Sequence, residues 1–254
     1  LIKKIVEKCN ENMLNVQVCA LTGCAAVLLE CKAKTIHSWG GIGLANGEPI
    51  DVVKRVCKSK YKRGPWKNVD VLIIDEVSMM SKKIFDILNK IAQVIRKSTE
   101  PFGGIQLVFS GDFYQIPPVA DKGVPDSGRF CFESELWPSI FPPHQVIVMN
   151  KIFRQNDPKY IKILRQTRKG RISRNTNQAL LERVGIAYDP NNPPAIITPT
   201  RAKSIEINRS EMQKINSSAV RYNMIVNKNQ RDFYPHGIIE QEIKTLKRTV
   251  MEEE

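Results

Sequence analysis

Histidine and cysteine are scarce in this 254-residue chain, which has three of the first and six of the second. The cysteines are Cys9, Cys19, Cys24, Cys31, Cys57 and Cys131, with no C-x-x-C pair and no histidine spaced to complete a zinc site. That argues against a zinc ribbon and a disulfide framework, and leaves the reduced, mostly buried thiols of an intracellular protein. Acidic residues are in deficit as well: 26 Asp and Glu stand against 39 Lys and Arg, a formal charge of +13. A surplus of that sign attracts polyanions through counterion release, so a phosphate backbone is a natural partner. No apolar run approaches the roughly 20 residues needed to cross a bilayer, so a soluble protein with no membrane partner is expected. With 42% hydrophobic residues, the chain can form one large or two ordinary α/β domains.

What the chain does have is Val71-Leu72-Ile73-Ile74-Asp75-Glu76. An unbroken apolar run that short reads as a strand buried on both faces, as in a parallel sheet covered by helices. The two carboxylates follow at its carboxyl end, the edge of an α/β sheet where ligands bind. An Asp there can hold Mg²⁺ on a nucleotide while a neighbouring Glu orients the attacking water. Similar runs recur: Val16–Leu21 before Thr22-Gly23, Ile105–Phe109 before Ser110-Gly111-Asp112, Val146–Met149 before Phe153-Arg154-Gln155, and Ala195–Thr198 before Pro199-Thr200-Arg201. As strands of parallel sheets, their ends form a polar rim.

Helices are expected between the strands. Ile2, Ile5, Val6 and Cys9 make an i, i+3, i+4, i+7 stripe, and Ser81 can cap a helix with Ile84, Ile87, Leu88, Ile91, Val94 and Ile95 on one face. The alternation predicts a doubly wound α/β fold. Pro138, Pro142 and Pro143 mark a boundary between domains 1–143 and 144–254. Lys58–Arg63 reads as a basic loop, and Asp189–Pro194 as a loop entering a strand. Ile239, Ile243, Leu246 and Val250 suggest a last amphipathic helix.

In order, Thr22-Gly23-Cys24-Ala25-Ala26, the stretch Thr35-Ile36-His37-Ser38-Trp39 through Leu44, LIIDEVSMM, GGIQLVFSGDFYQIPPV, Phe153-Arg154-Gln155 and Pro199-Thr200-Arg201 resemble the motif series of the petite integration frequency (Pif-type) DNA helicases. The resemblance runs from about residue 14 to about 215. It implies a RecA-like P-loop NTPase fold, one nearly complete RecA-like domain and part of a second, with ATP and Mg²⁺ as cofactors. The implied activity is five-prime to three-prime translocation on single-stranded DNA, in DNA repair, recombination, replication or telomere maintenance. Asp75 would hold Mg²⁺, Glu76 would activate the hydrolytic water, Gln115 would sense the γ-phosphate and Arg154 would act as an arginine finger. Thr22, Gly23, His37, Ser38, Trp39, Phe113, Thr200 and Arg201 would face single-stranded DNA. The Trp39 ring has two readings, stacking on a base or filling the core. Single-stranded DNA and DNA junctions are the implied partners, the protein is expected to be monomeric, and a nucleus or mitochondrion is the expected location in a eukaryote. Two other classes stand beside this reading: a nucleic-acid-binding module without ATPase activity, and a RecD-like or relaxase-type helicase subunit.

The family's G-x-x-x-x-G-K-[ST] loop does not occur in the sequence, which opens on Leu1 rather than Met, and the later motifs of the second RecA-like domain are also missing. The expectation is an internal piece of a longer helicase. Without the backbone cradle and the phosphate-binding Lys, the acid pair alone is a poor nucleotide site. The 254-residue chain is therefore expected to show no DNA-stimulated ATPase above background. Phosphate release that rises with single-stranded DNA and vanishes in Glu76→Gln would contradict this.

Overall fold

The computed structural model describes residues 1–189, 192–218 and 220. It divides into two compact units, Leu1–Gly185 and a second beginning at Ile186. This division falls later in the chain than the expected boundary near Pro143. A compact unit need not coincide with a RecA-like lobe. Among the described residues, no helix is long and apolar enough to cross a membrane.

The first unit opens with α1 (Ile2–Glu11), β1 (Val16–Ala20), α2 (Gly23–Leu28), β2 (Lys34–Thr35) and α3 (Ile36–Trp39). Then come α4 (Pro49–Lys58), α5 (Lys60–Asn68), β3 (Val71–Asp75), α6 (Lys82–Arg96) and β4 (Gln106–Phe109). Shorter α7 (Trp137–Ile140) precedes α8 (Pro158–Arg168) and α9 (Arg174–Leu181). The second unit contributes α10 (Arg201–Gln213), whose cap Thr200 accepts the Lys203 N–H at 3.3 Å. The four strands are all parallel, in the order β2-β1-β3-β4, with Ala20 paired to Asp75 and Ile74 to Phe109.

The apolar run of β3 supplies both faces of this sheet. Leu72 and Ile74 join the larger core with Trp66, Phe85, Leu88 and Ile91, while Val71 and Ile73 join a smaller one with Cys9 and Val18. Successive side chains point to opposite faces, so an uninterrupted apolar strand requires a helix layer on each. α1 covers the smaller core through Ile2, Ile5 and Val6, as its stripe predicts; α4, α5 and α6 cover the larger. The Ser81 hydroxyl accepts the Ile84 N–H at 3.2 Å, as expected for its cap. The buried face of α6 is centred on Phe85, Leu88 and Ala92, which leaves Val94 exposed.

Three expectations need correction. Lys58–Arg63 is not a loop: α4 ends at Lys58 and Ser59 caps α5 at once, with the buried Trp66 ring anchoring that helix. Val146–Met149 and Ala195–Thr198 form no strands, and Ile147 and Ile197 are 86% and 96% exposed. An apolar run becomes a strand only where a neighbour completes its hydrogen-bond ladder, and among the described residues neither run has one. Conversely, β2 is formed by Lys34-Thr35, with no apolar run to announce it. The last predicted helix, Ile239 to Val250, lies outside the described residues.

An ion-pair network centred on the buried Lys82 fastens the chain beyond β4 to α6. The Lys82 ammonium lies 3.0 Å from Asp86, 3.2 Å from Asp126 and 3.4 Å from Glu135. Its hydrogen bond to Asp86 is the main reason its pKa lies above the ordinary lysine range, and Asp126 adds to the effect. Backbone bonds from Lys82 to Arg129 and from Cys131 to Met80 run alongside.

Burial pushes the thiols of Cys19 and Cys131 up to about 12, whereas Cys24 is exposed. Only the thiolate alkylates readily, so at pH 8 an alkylating reagent is expected to modify Cys24 and spare Cys19 and Cys131 until the protein is denatured. Peptide mass mapping reads the order; early labelling of Cys131 would contradict the packing of the 126–135 segment.

Candidate functional site

The carboxyl edge of the sheet gathers the acid pair and the segment after β4. Asp75 closes β3, and the chain then turns sharply, with Glu76 at φ 56°, ψ 41° in the left-handed region. A side chain there costs roughly 1–3 kcal/mol of backbone strain and persists only where neighbours enforce it. The neighbours are visible. The Ser110 N–H donates to the Ile74 carbonyl at 2.9 Å, and the Val77 N–H donates to the Ser110 carbonyl at 3.1 Å. The ladder between β3 and β4 thus continues past the end of β4, with Asp75, still paired to Ala20 of β1, and the one extra residue Glu76 lying between its last two bonds. Gly111 permits this closeness: a Cβ there would lie 2.9 Å from the Val77 nitrogen and 3.0 Å from Val77 Cγ2. Beneath the turn, the buried Ser78 hydroxyl has no hydrogen-bond partner among the described residues.

Asp112 follows immediately. Its Oδ1 accepts the Tyr114 N–H at 3.1 Å and its carbonyl accepts the Gln115 N–H at 2.8 Å. The Arg168 guanidinium, from the last turn of α8, grips the carboxylate with Nε 2.5 Å from Oδ2 and Nη2 2.6 Å from Oδ1. That pairing, helped by the Tyr114 N–H, holds the Asp112 carboxyl below its usual range despite partial desolvation. Arg168 also lies over the Tyr114 ring at 4.5 Å. Sequence reasoning quoted Asp112 within its motif but gave it no role, and it missed Arg168, whose partner is 56 residues away.

The expected DNA-facing residues divide into groups. Thr22 caps α2, its hydroxyl accepting the Ala25 N–H at 3.2 Å, which leaves the O–H free to donate outward. Gly23 has open space where a Cβ would stand. His37 is half-buried, and desolvation pulls its pKa below the ordinary histidine value; Ser38 is exposed. Trp39 is 6% exposed and packs 4.6 Å from Trp66. Of its two readings the structure takes the core one, and the ring presents no face to a base. Phe113 also points inward, edge-on to Phe132 at 4.8 Å and Trp137 at 5.9 Å. Rings of that area gain more from burial in such a cluster than from exposure. Gln115 and Arg154 are exposed, and Arg154 makes no side-chain hydrogen bond or ion pair among the described residues. Thr200 and Arg201 belong to the second unit, where Thr200 caps α10 and Arg201 begins it.

The described residues contain no group of three His, Cys, Asp or Glu side chains placed to hold a metal. Asp75 fits a Mg²⁺ that takes most of its ligands from water and a nucleotide's phosphates, the usual arrangement for that ion.

A family model described as PIF1-like helicase matches residues 1–178. The chain is 43% identical over 159 residues to the ATP-dependent DNA helicase RRM3 of Saccharomyces cerevisiae, covering 63% of this chain and 21% of that protein. It is 35% identical over 227 residues to the ATP-dependent DNA helicase PIF1 of Emericella nidulans, covering 89% and 30%. It therefore spans less than a third of the length of these curated relatives. Among solved structures, Pif1 helicase from Candida albicans superposes with a TM-score of 0.71 at 30% identity, covering 90% of this chain and 51% of that one. Pif1 helicase from Bacteroides in complex with ADP-AlF3 and ssDNA gives 0.63 at 27% identity, covering 80% and 48%.

The contact between Gly111 and Val77 can be tested against the orphan hydroxyl beneath it. Gly111→Ala must push Val77 away and is expected to cost about 1–3 kcal/mol. Ser78→Ala removes a buried group that bonds to nothing and is expected to be neutral or to stabilise by up to about 1 kcal/mol. Denaturant unfolding of both variants checks the pair; a Gly111→Ala protein as stable as wild type would contradict the close approach.

Proposed function

The chain belongs to the PIF1-like helicase family, and from that premise we propose that the whole protein is an ATP-dependent DNA helicase, with this chain supplying its acid pair, its phosphate sensor and part of its DNA groove. The observation that carries the reading is the interlock of the strand ends. Backbone bonds between Ile74, Ser110 and Val77 hold Asp75-Glu76 beside the loop that carries Gln115. A carboxylate pair and a γ-phosphate sensor must share one fixed frame if loss of a phosphate is to move anything.

In this reading Asp75 would hold Mg²⁺, which would supply positive charge to the nucleotide's phosphates. Glu76 accepts the proton of the attacking water, its carboxylate aimed by the left-handed turn. Gln115 reaches the terminal phosphate from the exposed loop, and Arg154 supplies positive charge to the transition state. Thr22 and Gly23 meet the DNA backbone with a hydroxyl and an unobstructed N–H, alongside His37 and Ser38, while Thr200 and Arg201 clamp a phosphate. Trp39 and Phe113 support this surface from beneath rather than stacking on bases. The relatives are named DNA helicases and one similar structure is a complex with ssDNA; by analogy, single-stranded DNA and its junctions are the proposed partners here. Five-prime to three-prime movement, a monomeric state, an intracellular location (nucleus or mitochondrion in a eukaryote), and RecA-like lobes at 1–143 and 144–254 complete the proposal.

The test separates the two arginines in the whole gene product. Arg154→Ala is expected to cut DNA-stimulated ATP turnover by roughly 10³-fold or more, leaving single-stranded DNA affinity nearly intact. Arg201→Ala is expected to weaken DNA binding, and to flatten its salt dependence by about one phosphate contact, with turnover at saturating DNA largely preserved. The reverse pattern would remove both assignments.

A further inference from the structure

We propose that Arg168 is a positioning residue, a strut from α8 that fixes the sensor loop and so sets where Gln115 stands relative to Asp75 and Glu76. The inference deepens the helicase reading and rests on it for its catalytic consequence, though not for its structural one.

The loop from Ser110 to Val119 has no regular secondary structure, and Tyr114, Gln115, Ile116 and Val119 are exposed. Such a segment is held only by the tethers it makes. Its root is tied by the Ser110 backbone bonds and by Gly111 against Val77. Past that root, the anchors near Gln115 are the Phe113 ring in its aromatic cluster and the carboxylate and carbonyl of Asp112. Arg168 acts on both residues that bracket Phe113. It occupies both carboxylate oxygens of Asp112 and covers the ring of Tyr114. With the carboxylate fixed, the bond that its Oδ1 accepts from the Tyr114 N–H is fixed directly, and the turn that this bond closes holds the Gln115 N–H on the Asp112 backbone carbonyl.

The chemistry requires an arginine. A planar guanidinium can grip a carboxylate with two parallel bonds and stack on a ring at the same time, whereas a lysine ammonium is a point charge that does neither. The pair is only partly buried, with the Arg168 side chain 43% and that of Asp112 20% exposed. Ion pairs at that exposure contribute little to overall stability, so its effect is local placement. α8 also follows directly on the segment carrying Phe153-Arg154-Gln155, and at its N-terminal end the Asp157 side chain caps the helix through the Lys159 N–H at 2.8 Å. The strut thus joins the sensor loop to the helix that succeeds the proposed arginine finger.

Two measurements decide the matter, each on Arg168→Lys and Arg168→Gln. In the 254-residue chain, amide hydrogen exchange at Tyr114 and Gln115 is expected to accelerate about tenfold or more in both variants, with exchange in β3 and β4 and the melting temperature unchanged. Unaltered exchange at those two amides would overturn the strut. In the whole gene product, Arg168→Lys is expected to lower kcat for DNA-stimulated ATP hydrolysis at least about tenfold, with KM for ATP and affinity for single-stranded DNA near wild type. Accelerated exchange with kcat unchanged would overturn the positioning role. If the wild-type gene product shows no such turnover, the helicase reading fails instead, and the exchange measurement still decides whether the strut exists.

Discussion

The geometry of the strand ends depends on how closely two backbones approach where β3 and β4 finish. Gly111 lies against Val77 so tightly that no side chain fits between them, and the ladder bonds on either side leave Asp75 and Glu76 no room to follow an ordinary turn. The left-handed conformation of Glu76 is the outcome. Strain of this kind is maintained by the bonds around it, and it aims a carboxylate in a direction that an unstrained strand end would not. One steric fact, the absence of a Cβ at residue 111, thereby connects sheet packing to the orientation of the acids.

A second layer of constraint reaches the same loop from the other side. Lys82 is buried, and its partners Asp86, Asp126 and Glu135 come from α6 and from the segment after β4. Buried charges cost much of what their pairing returns, so the network is better understood as fixing where the 126–135 segment sits than as a source of stability. That segment carries Phe130 and Phe132, which with Trp137 form the seat for Phe113. The loop that carries Gln115 is therefore placed by a chain of contacts starting on α6, the helix after the acid pair.

Much of the sheet was legible in the sequence, because an unbroken run such as Val71–Ile74 that ends in paired acids suits a strand buried on both faces. The α1 stripe and the Ser81 cap were legible for the same reason, since both are local patterns. Val146–Met149 carries an equally apolar signal and is no strand, because strand formation is a property of a pair and the sequence names only one member. The place of the acid pair at the end of β3 was legible from the apolar run before it. The orientation of rings was not: Trp39 and Phe113 sit in motifs that suggest contact with a partner, yet both are claimed by neighbouring aromatics distant in the chain. Arg168 was invisible for a related reason, since nothing local distinguishes it from the other basic residues of α8 until the fold brings Asp112 to it.

The two anchors of the loop that carries Gln115 differ in kind. Phe113 is held by dispersion and burial, which are insensitive to ionic strength and to the charge of a bound ligand. Arg168 holds Asp112 by charge at a partly exposed position, where a nearby polyanion can compete for the guanidinium. A loop fixed only by its aromatic seat would be indifferent to phosphate, and one fixed only by an ion pair would be loose. Together, an apolar seat at Phe113 and a charged anchor one residue before it hold the segment that carries Gln115 by two forces that respond differently to salt.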